Sequence, residues 1–125
     1  MTHALHARGL RKTLDNGRAV LDGVDLDLMS GSLVAVRGPR IATSTLVRCL
    51  SGAYRPLAGT VTLAGGGERL DLTKASPRDI AWIRRHHLSV FDGPANASPS
   101  EDAEAVVARI ARCTADVARA ALCRI

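Results

Sequence analysis

The stretch from Leu33 to Gly52, LVAVRGPRIATSTLVRCLSG, constrains the fold of this 125-residue chain more than any other. It begins with a short apolar run, passes through a Gly-Pro turn and continues with the apolar spacing of a helix. The apolar run SLVAVRG predicts a central strand that is buried on both faces. A phosphate-binding loop would lie at such a strand–turn–helix junction. The chain is therefore predicted to be an α/β protein, and the junction is either a nucleotide site or an ordinary packing unit.

The loop has one glycine and no lysine. A phosphate loop runs from a glycine over four residues to a second glycine, a lysine and a Ser or Thr that holds Mg²⁺. Counted forward from Gly38, Thr43 takes the place of the second glycine, Ser44 that of the lysine, and Thr45 is the Mg²⁺ ligand. Counted backward from the helix, Ser44 is the Mg²⁺ ligand and Thr43 replaces the lysine. Both alternatives stay open.

Losing the lysine weakens the predicted site. A charge-assisted hydrogen bond contributes about 1.5–3 kcal/mol, and the lysine would form more than one with a triphosphate. Arg40 is a candidate to supply charge in its place, and the N-terminus of the helix still favours an anion. The residues alone therefore predict weak nucleotide binding or none.

The flanking segments predict further strands and helices. THALHARGL is typical of a first strand and LDNG of a turn, and RAVLDGVDLDLMSG alternates from Val24 onward like a half-buried strand. TVTLAGGGERLDL predicts a hairpin around its three glycines, and LSVF a short strand. SPRDIAWIRRHH predicts a helix with Ser76 as N-cap and Pro77 in the first helical position. The hydroxyl residues of TSTLVRCLSG suit the cap of the loop helix.

Three segments are predicted from these patterns. Residues 1–92 form the unit with the altered phosphate loop, residues 93–100 a loop, and residues 101–125 an Ala-rich helical tail. Apolar residues recur in the tail near helical spacing, at Val106, Val107, Ile110, Val117 and Ala121. Its polar side carries Arg109, Arg112, Asp116 and Arg119. Such a tail either covers a sheet or offers a surface to a partner.

Composition excludes some classes of function. The net charge is +5 with histidines neutral, but the arginines are spread from Arg8 to Arg124 without a dense cluster. Aromatic residues make up 2% of the chain, too few for a base-stacking platform, which argues against nucleic acid as a partner. No apolar run has the length of a membrane span, and the N-terminus lacks the apolar core of a signal peptide. We therefore expect a cytoplasmic protein.

The cysteines and histidines carry no metal motif in the sequence. The three cysteines have no ligand-like spacing and are expected to be reduced thiols. His3 and His6, and the pair His86-His87, have no cysteine or carboxylate cluster beside them in the chain. The sequence therefore predicts surface histidines rather than metal ligands.

Longer pieces of the chain resemble a known family. LRKTLDNGRAVLDGVDLDLMSGSLVAVRGP resembles the opening of an ATP-binding-cassette (ABC) nucleotide-binding domain. AYRPLAGTV, RLDLTKASPRDI and IRR are similar, at compatible spacing, to the L-type cassette subunit of the bacterial carbon–phosphorus lyase system for phosphonate use. The resemblance covers residues 5–91 and implies a partial P-loop NTPase-like domain. Such a domain would have a mixed sheet with antiparallel N-terminal hairpins, a helix after the loop and a helical C-terminal tail.

The resemblance also implies ligands and partners. It implies ATP and Mg²⁺ as cofactors, with carbon–phosphorus lyase subunits or another cassette subunit as partners. The matching cofactor-binding positions are Gly38, Arg40, Thr43, Ser44 and Thr45, with Ser44 or Thr45 as the metal ligand.

Several family motifs are missing. Leu14 stands where an adenine-stacking aromatic residue is expected, and no glutamine occurs near Gly93, where one would sense Mg²⁺. Asp92 is followed by glycine, so the catalytic carboxylate of the Asp-Glu motif is missing, and Leu50-Ser51-Gly52 is in the wrong place for the signature motif. The switch histidine would lie beyond Ile125.

The resemblance therefore implies a degenerate, truncated domain. We expect at most weak ATP binding, no catalytic residue and no hydrolysis by the chain alone. Two alternatives remain: a non-catalytic interaction protein that docks through the tail helix, and a gene remnant without a selected function.

Overall fold

The computed structural model describes residues 3–65, 67–90, 100–111 and 113–123. The chain divides into two compact units, Met1–His87 and Leu88–Ile125. The first unit contains β1 (His3–Thr13), β2 (Ala19–Met29), α1 (Arg40–Leu50), β3 (Ala58–Gly65), β4 (Glu68–Asp71) and α2 (Pro77–His86). The second contains α3 (Ala103–Ala111) and α4 (Ala115–Leu122). The predicted α/β class is confirmed.

The four strands form one sheet in the order β2-β1-β3-β4, and all of its described pairings are antiparallel. The predicted turn between β1 and β2 is confirmed, because the amide of Gly17 donates to the carbonyl oxygen of Leu14 at 2.8 Å. The predicted glycine hairpin is confirmed as well, since Gly65, the last residue of β3, pairs with Glu68, the first residue of β4. These short-range turns set the register of the sheet.

A bulge in β1 keeps its apolar residues on one face. Ala7 pairs with Leu26 and Leu10 with Val24, so β1 has one residue more than β2 in this interval. Gly9 takes the left-handed conformation there, with φ 59°, and its amide donates to Asp25 Oδ1 at 2.7 Å. As a result Leu10 returns to the buried face. The buried apolar residues of the first unit are Leu5, Ala7, Leu10, Leu21, Leu46, Cys49, Val61, Leu63, Leu72 and Ile83.

Helix α2 begins as the sequence predicts. Ser76 is the N-cap, its Oγ accepts a hydrogen bond from the amide of Asp79 at 3.1 Å, and Pro77 is the first helical residue. Ile83 is buried, whereas Trp82 is half exposed and stacks on the imidazole of His86 with 4.7 Å between ring centroids. Both local signals, the hydroxyl cap and the proline, are therefore confirmed.

Helix α1 begins earlier than predicted. Its N-cap is Pro39 and no side chain caps it, so the expected hydroxyl cap is wrong. The carbonyl oxygen of Pro39 accepts hydrogen bonds from the amides of Ala42 and Thr43, at 2.9 and 3.0 Å. Pro39 has an extended ψ of 138°, so it stands just outside the helix, and as a proline it has no amide N–H that would need an acceptor. The hydroxyl residues consequently lie inside the helix.

The predicted central strand is wrong. Residues 32–37 form neither strand nor helix, and Leu33, Val34 and Val36 are 76%, 41% and 43% exposed. A strand buried on both faces needs a neighbouring strand and a covering layer on each side. No described residue pairs with this segment as a strand. The short strand predicted for LSVF is also wrong at residues 88–90, which are irregular, while Phe91 lies outside the described residues.

The second unit contains two helices where the tail suggests one. Thr114 lies between them and caps the second, because its carbonyl oxygen accepts from the amide of Ala118 and its Oγ1 accepts from the amide of Val117. Arg119 of α4 donates two hydrogen bonds of 2.9 Å to the carboxylate of Glu104 in α3. Ala118 is buried and Val117 is 57% exposed. Among the described residues, no helix has the length together with the apolar character that crossing a membrane requires.

Candidate nucleotide-binding site

The structure places the predicted phosphate loop against the first turn of α1. Gly38 precedes the helix with φ 159°, and a Cβ atom at this position would lie 3.7 Å from Thr43 Cγ2, an ordinary contact. There is room for a Cβ atom at Gly38, but its φ is one that L side chains rarely adopt, so another residue would be strained there. The anion-binding feature that remains is the helix N-terminus, where the first amides have no intrahelical acceptor and the dipole is positive.

The three hydroxyl residues of the loop differ in availability. Thr45 is 4% exposed, and its Oγ1 donates to the carbonyl oxygen of Ile41 at 2.6 Å. Thr43 Oγ1 donates to the carbonyl oxygen of Arg40 at 3.1 Å. Ser44 is half-buried, and among the described residues none forms a hydrogen bond with its hydroxyl group. Of the two sequence counts, this geometry favours the one in which Ser44 is the Mg²⁺ ligand.

The charge around the loop suits an anion. Arg40 is the first residue of α1 and is exposed, as is Arg37 before Gly38. The first turn of α1 contains no acidic residue. Because acidic residues are the usual occupants of a helix N-terminus, their absence leaves the positive end of the dipole and Arg40 uncompensated in this turn.

Apolar side chains line the space between the loop and the sheet. A cavity of about 220 Å³ lies between β2, the loop and α1. Val20, Leu21 and Val24 line it from the strand, and Val36, Ala42 and Leu46 line it from the loop and the helix. The loop therefore lies beside β2, which the sequence predicts as a strand but does not connect to the loop.

An aromatic residue that sequence reasoning missed lies at the β1–β2 turn. Tyr54, in the segment after α1, lines a groove of about 550 Å³ together with Leu14 and its neighbours in the turn. Two cations lie close to its ring, with Lys12 Nζ at 5.6 Å and the guanidinium carbon of Arg48 at 5.3 Å from the ring centroid. Tyr54 and Leu14 are distant in sequence, and no local pattern indicates that they meet.

Three known proteins that are similar to this chain are all ATP-binding proteins of import systems. No protein-family model matches the chain. The sn-glycerol-3-phosphate import ATP-binding protein UgpC of Vibrio cholerae is 32% identical over 116 residues, which are 86% of this chain and 31% of that protein. The phosphonates import ATP-binding protein PhnC of Bordetella parapertussis is 33% identical over 92 residues, 73% of this chain and 36% of that protein. The hemin import ATP-binding protein HmuV of Bradyrhizobium diazoefficiens is 43% identical over 91 residues, 71% of this chain and 31% of that protein.

A solved structure has the same fold. The cbiO1 protein of Clostridium perfringens, part of the ABC transporter complex cbiONQ, superposes with a TM-score of 0.55 at 21% identity. The match covers 67% of this chain and 32% of that one. This chain has the α/β fold of an ABC ATPase, and the relatives indicate an ATP-binding domain of the ABC transporter type. The chain spans about a third of the length of the curated relatives it matches, and these serve different import systems.

Proposed function

We propose that this chain is an ABC-type ATP-binding subunit that binds nucleotide weakly and does not hydrolyse it alone. One observation supports this proposal most directly. The predicted phosphate loop leads into the N-terminus of α1, where Ser44 is available and no lysine is present. The N-terminus of α1 would offer backbone amides to a triphosphate, but without the lysine the site has less positive charge than a complete phosphate loop.

The loop and the first turn of α1 offer some of the groups that bind Mg²⁺-ATP, but no lysine. The first amides of α1 and the guanidinium of Arg40 would bind phosphate oxygens, and the Ser44 hydroxyl would bind the metal. Gly38 and Thr43 would contribute backbone groups of the same turn. Thr45 would contribute packing, because its hydroxyl is committed to the helix backbone. When bound, Mg²⁺-ATP brings its own charges to this turn, and the chain contributes binding and orientation.

Hydrolysis needs more groups than this loop offers. Phosphoryl transfer requires a metal clamp, an oriented water molecule and compensation of the transition-state charge, all at once. The loop from Gly38 to Thr45 has no lysine. Asp92 and Gly93, which the family resemblance places at the carboxylate and glutamine positions, lie outside the described residues. We therefore propose that the chain binds nucleotide but does not catalyse its hydrolysis.

We also propose that the partners of this chain are subunits of a system for phosphonate use. The segments AYRPLAGTV and RLDLTKASPRDI support the L-type carbon–phosphorus lyase cassette, and a relative that serves phosphonate import supports the same cargo chemistry. We propose docking to other subunits of such a system on the cytoplasmic side. Co-purification of tagged chain with carbon–phosphorus lyase subunits supports it, and co-purification with the membrane subunits of a different importer contradicts it.

Calorimetric titration with Mg²⁺-ATP tests the binding proposal. We expect weak, saturable heat for the parent chain, a loss for Ser44→Ala and tighter binding for Thr43→Lys. A restored lysine should strengthen binding about tenfold to a hundredfold, since each charge-assisted hydrogen bond contributes about 1.5–3 kcal/mol. Thr60→Lys, which adds the same charge at an exposed position of β3, is the matched control and should leave the affinity unchanged.

The same titration, together with a thermal melt of the chain, separates the alternatives. Flat traces for the parent and for Thr43→Lys, with a cooperative thermal transition, contradict nucleotide binding and favour an interaction protein. A chain without any cooperative transition favours the gene remnant. Release of inorganic phosphate from ATP by the pure chain, abolished in Ser44→Ala, contradicts the proposed lack of hydrolysis.

A further inference from the structure

Two histidines and an aspartate meet on the exposed face of the sheet, far in sequence from the phosphate loop. His6 of β1 and Asp27 of β2 are direct partners in the antiparallel pair, and His6 Nδ1 lies 2.5 Å from Asp27 Oδ1. His3 Nδ1 lies 3.7 Å from the same oxygen. One ligand atom from each of the three residues falls within 4.8 Å of the other two.

An irregularity in β1 brings the two histidines together. Residues three apart in a regular strand point to opposite faces. Here the register shifts between His3 and Leu5, so that His3 pairs with Met29 while His6 pairs with Asp27. Met29 and Asp27 are two residues apart and share a face, so both histidines share it as well. Their rings meet edge to face, with 5.4 Å between centroids.

His3 has an unmet polar atom in this cluster. Its Nδ1 is shielded from solvent and has no hydrogen-bond partner among the described residues, although the ring as a whole is partly exposed. Buried polar atoms in folded proteins nearly always have a partner. The Nδ1 atom lies beside the Asp27 carboxylate and the His6 ring, so a species placed between these three groups would satisfy it.

We propose that His3, His6 and Asp27 bind a divalent transition-metal ion of the zinc type. Two imidazole nitrogens and one carboxylate oxygen are a donor set that such ions prefer, whereas Mg²⁺ and Ca²⁺ prefer oxygen ligands alone. The side chains of the three residues are 31–38% exposed, so a fourth position is open to water. The site shares no residue with α1 and is independent of the proposed nucleotide site.

Binding requires movements of at most about 1.5 Å, since the three ligand atoms already lie within 4.8 Å of one another. With metal–ligand bonds of about 2.0–2.2 Å, tetrahedral ligands lie about 3.3 Å apart. His3 Nδ1 and Asp27 Oδ1 are already close to this separation, and His6 and Asp27 move apart by roughly one ångström. His6 then carries its ring proton on Nε2, and its Nδ1 exchanges the hydrogen bond to Asp27 for a bond to the metal.

Arg8 orients the carboxylate and limits the affinity. Its guanidinium donates to Asp27 Oδ2 at 2.7 Å, which leaves Oδ1 facing the histidines as a single-oxygen ligand. The same positive charge repels a bound cation. Arg8→Gln, which removes the charge and keeps a polar side chain, should therefore strengthen metal binding severalfold, an effect that a merely structural role of Arg8 does not produce.

Titration of the full chain with Zn²⁺ by calorimetry, and with Co²⁺ by visible absorption, tests the site. We expect one equivalent bound by the parent, and at least tenfold weaker binding by His6→Gln and Asp27→Asn. The matched controls His86→Gln and Asp22→Asn, which change an exposed histidine of α2 and an exposed aspartate of β2, should bind as the parent does. Circular dichroism checks that each variant is folded.

Three results overturn the proposal: no saturable binding by the parent, equal binding by parent and cluster variants, or thiolate-to-cobalt absorption bands that place the ion on a cysteine. If Asp27→Asn does not fold, because it also loses the Arg8 ion pair, His3→Gln decides, since His3 is the first residue of β1. A tenfold loss in that variant supports the site, and unchanged binding contradicts it.

Discussion

The carbonyl oxygen of Arg8 lies 2.5 Å from the position that a Cβ atom on Gly59 would take, so the two strands approach too closely for any side chain at residue 59. Gly59 also has φ 95°, in the region that disfavours L-residues. We expect Gly59→Ala to lower the free energy of unfolding by about 2–5 kcal/mol, the sum of backbone strain and overpacking.

Gly67→Ala is the control for this effect. Gly67 has a similar φ of 84°, but no atom lies within 4 Å of the position that its Cβ would take. It should therefore cost only the strain, about 1–2 kcal/mol. Urea unfolding of both variants measures the difference, and equal losses would contradict the close approach of β3 to β1.

Leu10 and Leu33 should respond differently to truncation. Leu10 is fully buried in β1, so Leu10→Ala is expected to cost about 2–5 kcal/mol. Leu33 is 76% exposed, so Leu33→Ala should change stability by less than about 0.5 kcal/mol. Denaturant unfolding distinguishes the two, and a large loss for Leu33→Ala would restore the buried strand that the apolar run predicts.

Ser76→Ala should weaken the start of α2. The variant loses the hydrogen bond that the Ser76 Oγ accepts from the amide of Asp79. The expected cost is about 1 kcal/mol. Ser76→Asp, which keeps an acceptor at the N-cap, should retain most of the stability. Thermal unfolding of the two variants compares them, and equal destabilisation would exclude a capping role.

Acid should weaken the pairing of α3 with α4. The hydrogen bonds from Arg119 hold the pKa of Glu104 below its usual value of 4.5. The stabilising contribution is therefore fully present above about pH 4.5 and is lost as the pH falls through the lower pKa of the folded state. Glu104→Gln should remove this dependence, whereas Glu101→Gln should keep it. Helical circular dichroism during an acid titration records the change.

Local signals in the sequence predicted the elements that local interactions form. Ser76 and Pro77 mark the start of α2, and the LDNG turn closes β1 and β2, because each signal acts within four residues. The same holds for the glycine hairpin between β3 and β4. These elements form where the sequence predicts them because their hydrogen bonds join residues of the same short segment.

Features that depend on distant residues could not be predicted. Residues 32–37 are apolar enough for a buried strand, but burial requires neighbours that composition does not reveal. The approach of Tyr54 to Leu14 results from the path of the chain after α1, and Asp27 reaches His6 through antiparallel pairing. The availability of Ser44 over Thr45 follows from where α1 begins, which Pro39 decides rather than a hydroxyl residue.

The position of Trp82 has a practical consequence for spectroscopy. Trp82 is the single tryptophan of the chain and lies in α2, within the first compact unit. Its emission reports on that unit, while residues 88–125 contain no tryptophan or tyrosine and are silent. Fluorescence and far-ultraviolet dichroism recorded on one sample therefore separate the melting of the sheet unit from that of the α3–α4 pair, and non-coincident curves would reveal two independent transitions.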